Sequence, residues 1–207
     1  MVLHSQSVYV SVAHRYWNPR WSEERNRQVY GRLCSVTGVG SNLKLTLAVE
    51  APADPRPGLL ALKSRIDHRA LHLDFDEFKD SPSTVECIAV DLARHVPGPW
   101  RWLQVSEGEN FAVRIEQGQP DVQIEARVLN LTLRLQRPID PESGLAIPRD
   151  ELWRSLTAVA PEFAEPRPNE VESMWGERLA KALGQKLPGL HQVVIDMSGQ
   201  RFLQIRL

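Results

Sequence analysis

The sequence lacks several features that mark specialised classes of protein. Its 207 residues include two cysteines, Cys34 and Cys87, too few for a disulfide framework. Neither belongs to a Cys-x-x-Cys pair that would indicate zinc binding or disulfide exchange. Lysine and arginine total 25 against 26 acidic residues, so there is no excess of positive charge to attract a phosphate backbone. We therefore expect neither a disulfide scaffold nor a nucleic-acid partner.

Long apolar runs are also missing. No stretch approaches the roughly 18 apolar residues that a membrane-spanning helix needs, and residues 1–6 lack the basic stretch and apolar core of a secretory signal. We expect a cytoplasmic protein with no membrane partner. At 42% hydrophobic and 25% charged residues, the chain can bury the core of one large domain or of two small ones.

An internal repeat is the strongest pattern that the sequence contains. Residues 42–47 alternate leucine with polar residues and precede a predicted turn at 54–58. In this turn proline restricts φ, and glycine allows φ values that other residues avoid. Residues 130–135 and the turn at 140–144 repeat this pattern, and the two turns lie 86 positions apart. Two later pairs of segments match in the same order: 85–93 with 171–180, and 97–115 with 188–206. Three matches in one order indicate a duplication.

Each half has the same order of predicted elements. In the first half, alternation over 43–49 predicts a half-buried strand. Thr84 is the predicted N-cap of an amphipathic helix, and residues 102–106 and 111–116 form a predicted hairpin. The corresponding helix and hairpin strands of the second half are predicted at 170–184, 193–197 and 201–207.

A short polar turn at 118–120 marks the boundary between the halves. We therefore predict an α+β protein of two tandem units, residues 1–118 and 119–207. Each unit is expected to be an antiparallel four-stranded sheet with helices on one face. Residues 122–135 alternate without a clear turn, so the sequence does not fix where the first strand of the second unit begins.

Five segments of the first half carry short motifs whose order and spacing together are specific: residues 10–19, 31–34, 67–74, 83–87 and 105–110. They resemble the 6-pyruvoyl and 6-carboxy tetrahydropterin synthases, and the resemblance spans residues 8–116. It implies the tunnelling fold (T-fold), whose units of two strands, two helices and two strands assemble side by side into barrels. We therefore expect two tandem T-fold units, the second degenerate, in a homo-oligomer that closes a barrel and protects its sheet edges.

The resemblance also implies a zinc site of three histidines, of which this sequence keeps one. His14 stands at a matching position, whereas Val39 and Ser41 occupy the positions of the other two histidines. Valine cannot bind zinc and serine binds it poorly, so we predict no cofactor and interpret His14 as a substrate-binding residue in the pocket wall. Zinc binding would require one of the other histidines, His4, His68 or His72.

A proton-transfer set is implied by the same resemblance, with Cys34 as the base and Asp67 and His68 as a relay. A thiol beside an imidazole can have a lowered pKa, and a carboxylate fixes the tautomer of the imidazole. Without zinc to polarise the substrate, the base would face a higher barrier. The alternative is a small buried cysteine and a solvent-facing Asp-His pair.

Glu107 is the predicted anchor of the ligand, because its position resembles that of the family's pterin-anchoring glutamate. A 2-amino-4-oxo pterin edge offers two adjacent N–H donors, and one carboxylate can accept both as a fork. Thr84 and Glu86, at the start of the predicted helix, are expected to add substrate contacts. The alternative for these two residues is helix capping.

Two functions remain open. In the first, the protein is a divergent, zinc-independent pterin lyase of the 6-pyruvoyl or 6-carboxy tetrahydropterin synthase type that acts on a 6-substituted dihydropterin. In the second, it is a non-catalytic pterin-binding or assembly protein of the same fold. The missing metal ligands favour the second function, whereas the retention of Cys34, Asp67, His68 and Glu107 favours the first. Both functions predict a pterin as the small-molecule partner.

Overall fold

The chain folds as a mixed α and β protein around one nine-stranded sheet. The structure is a computed structural model, which describes residues 2–128, 131–163, 172–196 and 202–207. In chain order the described strands are β1 (Leu3–His14), β2 (Val39–Glu50), β3 (Arg69–Ala70), β4 (Trp102–Glu107), β5 (Phe111–Glu116), β6 (Val122–Val128), β7 (Leu131–Arg137), β8 (Leu190–Asp196) and β9 (Phe202–Arg206).

Seven α-helices are described along the same residues. They are α1 (Glu23–Tyr30), α2 (Arg56–Ile66), α3 (Leu71–Asp74), α4 (Asp76–Lys79), α5 (Val85–Arg94), α6 (Arg149–Phe163) and α7 (Glu172–Lys186). None of these described helices has the length and apolar character that crossing a membrane would require.

The sheet runs in the order β3-β1-β2-β4-β5-β6-β7-β8-β9. All neighbours pair antiparallel except β1 and β3, which are parallel. The predicted mixture of helices and antiparallel strands is confirmed. The strands do not stop at the boundary between the halves, however, because β5 pairs with β6 beyond the turn at Gly118 and joins them in one sheet.

Alternation along the strands explains which face of the sheet is buried. In β2, Leu43, Leu45 and Leu47 are at most 1% exposed, while Lys44 and Thr46 lie on the other face. The apolar side of α5, including Ile88 and Leu92, is buried in the same core and packs against β4 and β5. The helices therefore cover the leucine face of the sheet.

The start of α5 follows the prediction, but the turn before α2 does not. The Thr84 hydroxyl accepts a hydrogen bond from the backbone N–H of Cys87, which confirms the predicted N-cap. Gly58 was expected to lie in a turn, yet it lies inside α2. A Cβ at Gly58 would lie 2.7 Å from the Leu47 side chain, so the glycine allows close packing of helix on strand.

A loop from the second half docks on the first half. The carbonyl of Ser143 accepts a hydrogen bond from the Tyr30 hydroxyl at 2.7 Å, and the carbonyl of Gly144 accepts one from the Thr84 hydroxyl at 2.5 Å. Leu145 packs with Tyr30 in a small buried cluster. These contacts fix the chain just before α6 against the start of α5 and the end of α1.

We predict that Gly144→Ala destabilises the protein more than Gly98→Ala. Both glycines have positive φ, 68° and 73°, and alanine in that region costs about 1–2 kcal/mol. A Cβ at Gly144 would also lie 2.6 Å from the Cys87 sulfur, whereas a Cβ at Gly98 meets nothing within 4 Å. Overpacking adds about 1–3 kcal/mol, and urea unfolding followed by tryptophan fluorescence measures both losses. Equal losses would contradict a tightly docked loop.

Candidate functional site

Three of the side chains that matter for ligand binding meet where neighbouring strands end. His14 is the last residue of β1, Ser41 lies near the start of β2, and Glu107 is the last residue of β4. Because β1, β2 and β4 are adjacent in the sheet, these side chains come together. The His14 Nε2 atom is 3.1 Å from Glu107 Oε1 and 3.1 Å from Ser41 Oγ.

His14 is fully buried, and both of its ring nitrogens lie within hydrogen-bond distance of oxygen atoms. The Ser83 carbonyl can only accept, so Nδ1, at 2.9 Å, donates to it. Nε2 lies 3.1 Å from both the Ser41 hydroxyl and the Glu107 carboxylate. The ring is therefore fixed between the Ser83 backbone and one oxygen of Glu107.

Glu107 is held as a carboxylate by the groups around it. Its second oxygen, Oε2, accepts a hydrogen bond from the Tyr16 hydroxyl at 2.9 Å and lies 3.8 Å from Arg149 Nη2. Burial raises the pKa of Glu107, but the hydrogen bonds from His14 and Tyr16 and the positive charges of His14 and Arg149 outweigh it, so the pKa is lowered. Both oxygens are thus engaged by groups of the chain itself.

Glu86 is a second carboxylate in the same region and, unlike partly exposed Glu107, it is fully buried. It is 0% exposed, and within the described part of the chain neither carboxylate oxygen has a hydrogen-bond partner. Burial raises the pKa of Glu86. The charge of Arg149 and the backbone N–H groups of Glu86 and Ala146 act in the opposite direction, but their effect is smaller. These N–H groups lie nearby without completing a hydrogen bond to the carboxylate. Glu86 therefore offers two unused acceptors.

Arg149 enters the pocket from the second half and was not predicted from the sequence. It is the first residue of α6, its side chain is 16% exposed, and its guanidinium stacks on the ring of Phe111. The Nη2 atom donates to the Tyr16 hydroxyl at 3.3 Å. Burial raises the pKa of Tyr16 well above its ordinary value, so Tyr16 stays a neutral donor.

Thr84 caps a helix instead of lining the open part of the pocket. It is fully buried, accepts from the Cys87 backbone and donates to the Gly144 carbonyl. Its hydroxyl hydrogen is thereby used, in agreement with the capping alternative. The substrate contact expected from Thr84 would need this hydrogen bond to Gly144 to break.

Cys34 lies next to the pocket with an unactivated thiol. It bridges Tyr16 through the backbone and packs with Tyr30 and Leu145 in the small buried cluster. Burial raises the pKa of the Cys34 thiol, and the charge of Arg27 lowers it less. The raised pKa is the opposite of the lowered pKa that a general base of this kind would need.

Asp67 and His68 lie at the edge of the sheet. Asp67 accepts a hydrogen bond from the Ser11 backbone N–H at 2.9 Å and pairs with Lys63 at 3.2 Å; the first of these is the larger cause of its lowered pKa. His68 is 82% exposed and 3.9 Å from Asp67. Among the contacts of the described residues, none joins this pair to Cys34.

The chain is similar in sequence to two curated proteins that share one name. No family model matches the chain. The 6-pyruvoyl tetrahydrobiopterin synthase of Drosophila melanogaster is 30% identical over 92 residues, covering 39% of this chain and 55% of that protein. The enzyme of the same name from Poecilia reticulata is 32% identical over 103 residues, covering 42% of this chain and 70% of that protein.

The chain belongs to the 6-pyruvoyl tetrahydropterin synthase family. The resemblance predicted from the sequence is thus confirmed, although the chain spans about half the length of the Drosophila relative. A solved 6-pyruvoyl tetrahydropterin synthase from Caenorhabditis elegans is 22% identical and superimposes with a TM-score of 0.48, over 56% of this chain and 96% of that one.

The donor set at His14 does not fit the three-histidine zinc site that the family resemblance implies. His14 is the one imidazole at the three positions, since Val39 and Ser41 occupy the other two, and Arg149 places a positive charge 3.8 Å from Glu107. Val39 is 41% exposed. Within the described ranges, the side chains grouped closely enough to hold a metal are Glu77, Asp91 and His95, none of which belongs to this pocket.

We predict a pH-dependent effect of Glu86→Gln on stability. The free energy of unfolding of the variant, relative to that of the wild type, should be higher at neutral pH than at acidic pH. A pKa raised by burial means that Glu86 contributes stability below its ordinary value of 4.5 and loses it as pH rises through the folded-state pKa. Glutamine does not ionise, so the variant does not lose this stability as pH rises. Thermal unfolding between pH 4 and 9 measures the stability of the variant and of the wild type, with Glu24→Gln, at an exposed position of α1, as the control.

The expected result is a stability difference between Glu86→Gln and the wild type that grows with pH, while Glu24→Gln follows the wild type. A difference that stays constant across the pH range would contradict the burial of an unpaired carboxylate at Glu86.

Proposed function

We propose that this chain binds a 6-substituted dihydropterin in the pocket around Glu86 and Glu107, as a protein of the 6-pyruvoyl tetrahydropterin synthase type. The observation that carries the proposal is a pair of carboxylates: Glu107, whose side chain is 23% exposed, and fully buried Glu86, which has two unused oxygens. Carboxylates are the groups that accept the adjacent N–H donors of a pterin edge as a fork. Membership of the family supports the choice of ring.

The pocket also contains a surface for stacking a planar ring. Phe111 lies directly opposite Glu107 across the β4–β5 hairpin and already stacks with a planar guanidinium. A pterin lying on Phe111 would have its donor edge beside the carboxylates, with His14 and Tyr16 fixing the orientation of Glu107. This combination of a stacking ring and a fixed acceptor selects for flat rings with two adjacent N–H groups.

Binding without zinc chemistry is the activity that the site supports best. The donor set does not fit zinc, and the pKa of the Cys34 thiol is raised. A zinc-independent lyase is the second candidate, because Cys34 borders Tyr16 of the pocket. For Asp67 and exposed His68 to act with Cys34 on one substrate, they would have to come from another copy of the chain.

The assembly that we propose follows from the sheet. The strands β1, β2, β4 and β5 of residues 1–118 and the strands β6 to β9 of residues 119–207 form two tandem T-fold units, the second without the pocket residues of the first. The outer strands of the sheet leave backbone groups open to pairing. A homo-oligomer that closes a barrel would satisfy these edges.

We predict that dihydroneopterin triphosphate binds the wild type and that Glu107→Gln weakens binding by about 10- to 100-fold. Removing the charge of one hydrogen-bonded carboxylate costs about 1.5–3 kcal/mol. Titration calorimetry measures both affinities. Glu109→Gln is the matched control, because Glu109 is an exposed carboxylate of the same hairpin, and its affinity should equal that of the wild type.

The same preparations separate the two candidate functions. Ligand recovered unchanged from protein without stoichiometric zinc would support the binding protein and exclude the lyase. Turnover that is abolished by Cys34→Ala would exclude the binding protein, and the same turnover without stoichiometric zinc would support the zinc-independent lyase. Equal affinities of Glu107→Gln and the wild type would contradict the pocket itself.

A further inference from the structure

The guanidinium of Arg149 has the same donor geometry as the ligand edge that the pocket is proposed to bind. Both are planar, and both present adjacent N–H groups on an N–C–N unit. In the structure this unit stacks on Phe111 and donates to Tyr16, and it lies within ion-pair distance of Glu107. Arg149 thus occupies the place where a pterin edge would make its contacts.

We infer that Arg149 is an internal occupant of the pocket, supplied by the second half of the chain, that competes with the pterin. The inference rests on the proposed function and adds regulation to it. Glu86 is 0% exposed, and the oxygens of Glu107 already face His14, Tyr16 and Arg149, so neither carboxylate is free while Arg149 is in place. A ligand therefore binds only the fraction of molecules in which Arg149 has withdrawn, and its apparent affinity is reduced by that fraction.

Among the described residues, Arg149 leaves hydrogen-bonding atoms of the pocket unpaired, as expected of a group that a ligand can displace and not of a fixed ion pair. Its Nη1 atom is buried without a hydrogen-bond partner among the described residues, and both oxygens of Glu86 are also buried and unpaired there. Unpaired buried donors and acceptors are unfavourable. A ligand edge that satisfied Glu86 would be favoured over the guanidinium by these contacts.

The surrounding loop allows Arg149 to withdraw without undoing the fold. The preceding segment is tied to the first half through Glu142, Ser143 and Gly144, whose carbonyls accept hydrogen bonds from Asn18, Tyr30 and Thr84. Arg149 itself is held by its side chain. Rotation about the torsions of a long side chain can therefore open the pocket while the loop stays docked.

Binding of two probes to Arg149 variants tests the inference. We expect Arg149→Ala to bind dihydroneopterin triphosphate at least 10-fold more tightly than the wild type. Methylguanidine should raise the Tm of Arg149→Ala and leave that of the wild type unchanged. Arg154→Ala is the matched control, because Arg154 is an exposed arginine of the same helix whose side chain donates to the Asp150 carbonyl of that helix.

Arg149→Lys keeps a positive charge near the carboxylates but lacks the planar donor edge, so it carries the test if Arg149→Ala does not fold. Its pterin affinity should also exceed that of the wild type. Weaker pterin binding by either variant, or no effect of methylguanidine on a folded Arg149→Ala, would overturn the inference. Stabilisation by methylguanidine without pterin binding by any variant would uphold occupancy by Arg149 and overturn the proposed function.

Discussion

Two carboxylates near one guanidinium determine how this molecule is organised. Partly buried Glu107 and fully buried Glu86 belong to the first half of the chain, whereas Arg149 comes from the second half. A buried carboxylate without a counter-charge is unfavourable. Burial keeps the pKa of Glu86 raised, and the charge of Arg149 opposes that shift and helps to lower the pKa of Glu107. Because the compensating charge lies 42 positions beyond Glu107 in sequence, the pocket exists only when both halves fold together.

The second half therefore does more than extend the sheet. Its continuous pairing with the first half, β5 on β6, fixes the relation of the two, and its docked loop at Ser143 and Gly144 places the start of α6 over the pocket. The second half can thus supply a group to the pocket of the first half. In this chain that group is Arg149, and it lies against the residues that would recognise a ligand.

Local patterns predicted the parts of the fold that depend on neighbouring residues in sequence. Alternating leucines identified β2, and Thr84 identified the start of α5, because burial and capping act within one element. β3 was missed since two residues carry no periodicity. The clustering of His14 with Glu107 followed from family resemblance, whereas Arg149 carries no local signal and is recognised only through tertiary contact.

The central claim is that a pterin edge and the Arg149 guanidinium compete for the same carboxylates. A crystal structure of the wild-type protein with a bound dihydropterin tests it most directly. We expect the ring on Phe111, its donor edge at Glu86 and Glu107, and Arg149 displaced from Tyr16. A ring bound in the surface cavity beside Asn42 and His68, with Arg149 still in the pocket, would contradict the claim.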